Sequence, residues 1–424
     1  MEDKFLNNLS TRVTFGERLS ADCNIDLVAP TPTGELEIAM HNAGKTVIVP
    51  KFEHDGIIYI PPKLHPSVCG AIRFPAAIAE YGEVHDLFMA VMQLFCTHLA
   101  LPESVASIAT SWIFAGWVPE FFAALPILGV TGANRSRAMN LFYLLGVLSR
   151  RAIILADLHP KLPTELGLTL LLANSALSKK AQGCWRAGNF RNVQVPTPGG
   201  GLKGLACAKA IYSETGDASQ LWGDEVLRIV LLPNSAIPII SDTDLVEIAA
   251  EFQPKFQLFR LRRLQDLAQA GEVPCPVALA RSAVTRELFA LLGGETSTPK
   301  LLLPLAENQR KAVVARRAID PVAVIIEAIW MPAHKQSSMA TLDLQKRVNV
   351  LLGVRGAAIE LNVRELGWKL TDLGLPRKRN AKGMFLTFSP DLCGQIHRLA
   401  QQFDLEPTKV DACPHCASRQ VVEP

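Results

Sequence analysis

Pro126-Ile-Leu-Gly-Val-Thr-Gly-Ala-Asn-Arg-Ser-Arg-Ala-Met-Asn-Leu141 decides how the middle of this chain is read. Residues 126–130 form an apolar run of strand length, Thr131-Gly132 breaks it, and an apolar helical pattern starts near Ala138. Strand, glycine turn, helix is the opening of an α/β unit. Further strand runs follow at Ala152–Leu155, Leu168–Leu172 and Leu227–Leu232, with a small-residue apolar stretch over Leu205–Ser213. Continuous apolar strands of this kind are buried on both faces of a parallel sheet.

On either side the pattern changes. Asn24–Val28, Leu36–Ala39, Lys45–Val49 and Gly56–Ile60 are short β-branched runs punctuated by turn residues, which predicts a small sheet or half-barrel over residues 1–78. Val84, Leu87, Val91 and Leu94 share a helical face, and residues 242–330 read as helical. Within that stretch Arg260, Arg262 and Arg263 read as a solvated helix face, with a subunit or nucleic-acid contact as the alternative. Isolated His54, His65, His85 and His98 read as structural.

A chain of 424 residues has room for two or three cores, and 49% apolar with 20% charged residues is globular composition. A net charge of +3 names no partner, so local clusters must. Scattered cysteines and a polar start (Met1-Glu-Asp-Lys-Phe5) predict a cytoplasmic protein without a membrane segment.

The 126–141 stretch has the frame of a phosphate-binding loop without its working groups. Such a loop needs Gly-Lys-[Ser/Thr] six to eight residues from its first glycine, for backbone approach, γ-charge neutralisation and Mg²⁺ ligation. Counted from Gly132, those places hold Arg137, Ala138 and Met139. The sequence of strand, turn, helix, later strands and helical region resembles the AAA+-like P-loop ATPases of phages and mobile elements, which are helicase-like and end in a winged helix. Pro126, Thr131, Gly132 and Ser136 match that family's loop, and the catalytic trio does not. Where the family carries the paired acids of Walker B, after Leu168–Leu172, stand Ala173 and Asn174. The resemblance makes Arg228 a candidate trans-acting arginine. It implies an α/β fold with a β-rich domain (1–78), a degenerate P-loop core with helical lid (79–335), a winged helix-turn-helix (336–404) and a polar tail (405–424). Thr131, Gly132, Arg135, Ser136 and Arg137 would be what remains of the nucleotide site, with ATP binding without hydrolysis as the most it could do.

Thr341–Leu352 and Asn362–Leu373 are helical patterns, followed by the basic turn Gly374–Gly383 and the strand Met384–Phe388. Helix, helix, basic turn, strand resembles a winged helix. Arg364, Lys369, Arg377, Lys378, Arg379 and Lys382 are then the candidate DNA contacts. Cys413-Pro-His-Cys416 supplies half of a zinc site, and Cys393 and His397, one helical turn apart, are the candidates for the other half, with His415 as a competitor. These readings point to a DNA-binding pseudo-ATPase subunit in replication or maintenance of a mobile element, alone in an oligomer or beside an active ATPase or replication protein. A divergent active helicase-like ATPase and a winged-helix regulator or defence component are the alternatives.

Overall fold

The computed structural model describes residues 10–417 apart from 32–33, 158–163, 175–176, 178–182, 184, 186, 197–200, 205, 215–225, 233–238, 270–273, 281, 294–297, 358, 382, 404 and 406–412. The chain divides into two compact units, Met1–Arg310 and Lys311–Pro424.

The first unit opens with β1 (Ser10–Val13), β2 (Glu17–Arg18), β3 (Cys23–Val28), β4 (Glu37–Asn42), β5 (Lys45–Val49), β6 (Phe52–His54) and β7 (Ile57–Ile60). These make an antiparallel sheet β2-β3-β4-β5 and a smaller sheet β1-β7-β6, so the four predicted strands are part of two sheets. Helices α1 (Pro66–Ala71), α2 (Val84–Leu99) and α3 (Glu103–Trp117) lead into β8 (Ile127–Thr131), α4 (Arg135–Leu148), β9 (Ala152–Leu155) and β10 (Thr169–Leu172). A hairpin, β11 (Gln194–Pro196) and β12 (Leu202–Gly204), precedes β13 (Lys209–Ser213) and β14 (Val226–Val230). The central sheet is parallel throughout, in the order β14-β8-β13-β10-β9.

Helices α5 (Asp242–Gln269), α6 (Val277–Ala280), α7 (Ala283–Leu291) and α8 (Thr298–Ala318) follow. Phe114 on α3 lies 5.2 Å from Phe256 and 5.0 Å from Phe259 on α5, and Trp117 stacks on Phe256 at 5.2 Å. Each fully buried aromatic of this size contributes about 1.5–3 kcal/mol. The edge strand β14 is covered by Asn308, whose side chain accepts from Arg228 N and donates to Arg228 O, each at 2.9 Å.

A buried charge cluster joins the N-terminal sheet to the core. Asp26, in the apolar β3, receives Arg150 Nη2 at 2.8 Å, Arg260 Nε at 2.8 Å, and Arg151 Nη2. Arg260 also forks onto Glu120 at 2.6 and 2.7 Å. Burial alone would raise the Asp26 carboxyl, but the charges of Arg150, Arg151 and Arg260 outweigh it and hold the group well below the usual carboxylate range. This corrects the solvated-face expectation for Arg260, which is fully buried. Its neighbours on α5 do meet surface acids, Arg262 with Glu80 at 2.7 Å and Arg263 with Asp266 at 3.1 Å.

In the second unit α9 (Pro321–Lys335), β15 (Ser338–Ala340), α10 (Thr341–Val354), α11 (Val363–Asp372), β16 (Arg377–Asn380), β17 (Gly383–Thr387), α12 (Pro390–Gln402) and α13 (Pro414–Ala417) succeed one another. Its sheet is antiparallel, β15-β17-β16. The basic run read as a turn is therefore the edge strand β16, paired with β17 in a hairpin. Among the described residues, no helix is long and apolar enough to cross a membrane.

Candidate functional sites

Strand β8 delivers the glycine turn to the carboxyl end of the parallel sheet, between β14 and β13. The chain passes from β8 to the far-edge strand β9 and returns through β10 and β13, so strand order reverses beside this turn. In open α/β sheets, that is where ligands bind. The turn itself is short. Asn134 caps α4 through Oδ1, which accepts from Arg137 N at 3.0 Å, and the helix begins at Arg135, three residues earlier than the apolar pattern predicted. Four residues separate the two glycines of a phosphate-binding loop and cradle the anion with their amides. Here α4 begins halfway through that stretch, at Arg135, which leaves only Ala133 and Asn134 as loop after Gly132.

The turn is also closed from behind. Gly132 has φ +146°, and a Cβ there would stand 2.4 Å from Leu231 O. Tyr212 Oη donates to Gly132 O at 2.7 Å. The buried Arg137 is tied to backbone carbonyls: Nη2 donates to Leu99 O at 2.9 Å, and Nη1 to Leu232 O, just past β14. A cation at the C-terminus of α2 satisfies orphan carbonyls and suits the helix dipole. Desolvation lowers the Arg137 pKa. Its charge is spent on the fold, contrary to the expectation that it stays available to a phosphate, whereas Arg135 and Ser136 are exposed and Thr131 is half-buried.

Ala173 extends the β10 ladder, its N–H donating to Leu155 O at 2.9 Å, and Asn174 follows it, exposed. Glu214 follows directly on β13, whose Ser213 pairs with Thr131, and so stands at the same end of the sheet as the glycine turn. Tyr212 is raised by burial and then by Glu214, with Arg135 opposing, so these three groups share one field. Glu214 was not singled out from sequence, because it follows the strand read as a plain small-residue stretch. Arg228 sits mid-strand, opposite Gly129 and two residues short of the strand's end, with its pKa lowered by burial. That position does not present it at the sheet's carboxyl end.

In the second unit, α11 starts with a full capping box. Asn362 Oδ1 accepts from Arg364 N and Glu365 N, and Glu365 Oε2 accepts from Asn362 N at 3.0 Å. Leu366, Gly367 and Leu370 face the core, which leaves Arg364 and Trp368 outside. The Arg364 guanidinium lies 4.8 Å from the Trp368 ring centre, and Trp368 is 56% exposed. Lys369 is half-buried, and Lys378 and Arg379 project from the exposed β16. Arg377 lies across α11, its Nη1 2.1 Å from where a Cβ on Gly367 would be. Lys382 is outside the described residues. Trp368 is a second residue that sequence reasoning passed over, because single tryptophans carry no spacing signal.

The third group is a cluster of metal-ligand side chains. His334, His397, Cys413 and Cys416 bring one ligand atom each within 4.8 Å of one another, and the group can hold a metal ion. His334 Nε2 is 3.2 Å from His397 Nε2 and 3.5 Å from Cys416 Sγ, and His397 Nε2 is 3.5 Å from Cys413 Sγ and 3.9 Å from Cys416 Sγ. A tetrahedral ion with bonds of about 2.0–2.3 Å has ligand–ligand edges of about 3.3–3.8 Å. His334 Nδ1 is 2.7 Å from Trp330 O. A carbonyl only accepts, so Nδ1 carries the proton and Nε2 presents its lone pair inward, the usual outer-shell arrangement of a metal-bound histidine. Three of the four residues expected from sequence converge. The fourth, Cys393, instead points at Ala333 O (3.4 Å), and His334 takes its place. His415 lies beside His397, ring centres 5.3 Å apart, outside the group.

No described protein family matches the sequence, and no curated protein does. Among solved structures, the A form apo structure of the NrS-1 C terminal region is similar over 86% of this chain and 97% of that one, with 8% identity and a TM-score of 0.35. A likeness of that size carries no conclusion about fold or function.

Proposed function

We propose that this chain is a DNA-binding, non-hydrolysing relative of AAA+-like P-loop proteins, a subunit for replication or maintenance of a mobile element. The observation that carries it is the combination of sheet order and a filled turn. Numbered along the chain, the five parallel strands run 5-1-4-3-2, which sets the glycine turn beside the reversal of strand order where open α/β sheets bind ligands. The strand that should bear the phosphate loop ends in a three-residue turn backed by Leu231, with Arg137 committed to carbonyls. Turnover needs a cation on the γ-phosphate and acids on Mg²⁺, and Ala173 and Asn174 supply neither.

DNA binding is supported by the second unit. Helix, strand, two helices and a two-stranded hairpin follow the order of a winged helix, with α11 as the helix for the major groove and β16–β17 as the wing. Lys378 and Arg379 are exposed there for phosphates, and Arg364 with Trp368 is exposed for base contact. Replacing Lys378 and Arg379 together by alanine is expected to weaken duplex binding roughly tenfold at low salt and to flatten the log–log salt dependence by about 1.8. Fluorescence anisotropy across a salt series measures both, and an unchanged slope removes the wing from the interface. Arg377 is left intact in that variant because it packs on Gly367.

For the His334/His397/Cys413/Cys416 group we propose zinc. Two imidazoles and two thiolates in tetrahedral number are its structural donor set.

A further inference from the structure

The zinc reading leaves open what the ion does for the chain. Its four ligands come from three segments: His334 from the last turn of α9, His397 from α12, and Cys413 and Cys416 from around α13. Helix α13 has four residues and cannot hold itself together. It is kept in place by burial of Cys416 in the unit's core and by His415 resting against Gly394 of α12. Trp330 closes the other side, with its ring 4.4 Å from His397 and 4.8 Å from His334.

Helix α12 is also the support of α11. Two residues before His397, Gln395 Nε2 donates to Leu373 O at 3.2 Å, the carbonyl at the C-terminal end of α11. Leu392, Ile396 and Leu399 of α12 share one core with Leu366 and Leu370 of α11. The metal group and the helix bearing Arg364 and Trp368 are thus joined directly through α12, and also through the core in which α9 and α10 meet α11.

We propose that zinc in this group is a clasp. It fixes α12 between α9 and the α13 segment, and through Gln395 it fixes the end of α11, so that zinc loading is a condition for nucleic-acid binding. The proposal rests on the zinc reading and on the DNA reading given above, and its test separates the three.

The full chain is purified without added metal, and its zinc is counted by mass spectrometry. It is then stripped with a chelator and titrated with Co²⁺. One zinc per chain is expected, as is the intense visible absorption of tetrahedral, thiolate-bound Co²⁺. That absorption should be lost in His334→Ala and Cys416→Ser and retained in Cys393→Ser. No such absorption, or its loss in Cys393→Ser but not in His334→Ala, overturns the zinc group described here. Stripped and zinc-reloaded wild-type chains are next compared by hydrogen exchange and by duplex binding. Faster exchange in α12 and at the end of α11 on stripping, reversed by zinc, together with at least a tenfold reversible loss of duplex affinity, is the result expected. Equal exchange in the two states overturns the clasp even where Co²⁺ binds. Zinc-dependent exchange with equal duplex affinity overturns the condition on binding. Zinc-dependent exchange without duplex binding in either state overturns the same condition together with the DNA reading, and leaves the clasp standing.

Discussion

Asp26→Asn is expected to destabilise the first unit by about 3–5 kcal/mol, because it leaves three buried guanidinium groups facing one another with their shared carboxylate gone. Arg150, Arg151 and Arg260 are all buried, and each bonds to Asp26. Asparagine keeps the shape and loses the charge, so the loss reports electrostatics and not a cavity. The pH dependence has a definite sign. A carboxyl whose folded pKa is held down contributes stability that is complete above its unfolded value of about 3.9 and drains away as pH falls toward the folded one. The difference in melting temperature between wild type and Asp26→Asn should therefore be full at neutral pH and narrow below about pH 4. A difference that stays constant through that range would show that the carboxylate's charge is not what holds β3 to the core.

Gly132→Ala is the second large effect, about 2–5 kcal/mol. Positive φ costs an L-residue roughly 1–2 kcal/mol, and overpacking against a rigid neighbour adds about 1–3. The neighbour here is backbone, Leu231 O at 2.4 Å from the added carbon. Chemical denaturation measures the loss. A turn that opens to admit a phosphate would accept the methyl group by moving, so a change under about 0.5 kcal/mol would contradict the closed turn.

Much of the first unit could be read from residue order. The β-branched and apolar runs at Lys45–Val49, Ala152–Leu155 and Leu168–Leu172 correspond closely to strands, because burial on a pleated surface selects those side chains. Boundaries were harder. The apolar pattern starts α4 at Ala138, since Arg135, Ser136 and Arg137 interrupt it, while the cap that sets the helix is the polar Asn134. The β16 strand has the sequence of a turn, since an edge strand exposed to solvent has no apolar alternation to betray it. Long-range pairings left no trace at all. Nothing near Asp26 in sequence announces Arg260, 234 residues away, and Arg260 sits in a helical pattern that otherwise reads as surface. His334 escaped for the same reason. Cys413-Pro-His-Cys416 advertises half a metal site, and Cys393 with His397 offers a plausible local partner. The structure draws its remaining ligand from α9, 63 residues before His397. The rim of the sheet is legible only as a deficit: Ala173 and Asn174 stand out where the resemblance expects acids, and Glu214 stands where it expects none.

The proposed closure of the glycine turn after β8, with the loss of its chemistry, is tested by phosphate release from Mg-ATP by the purified full chain, with and without duplex DNA. Release no faster than the protein-free rate is expected in both conditions, and the same for Arg137→Ala and Glu214→Gln. Mg²⁺-dependent release that follows protein concentration and disappears in Glu214→Gln would overturn it, because a carboxylate at the end of β13 would then position the metal or the attacking water.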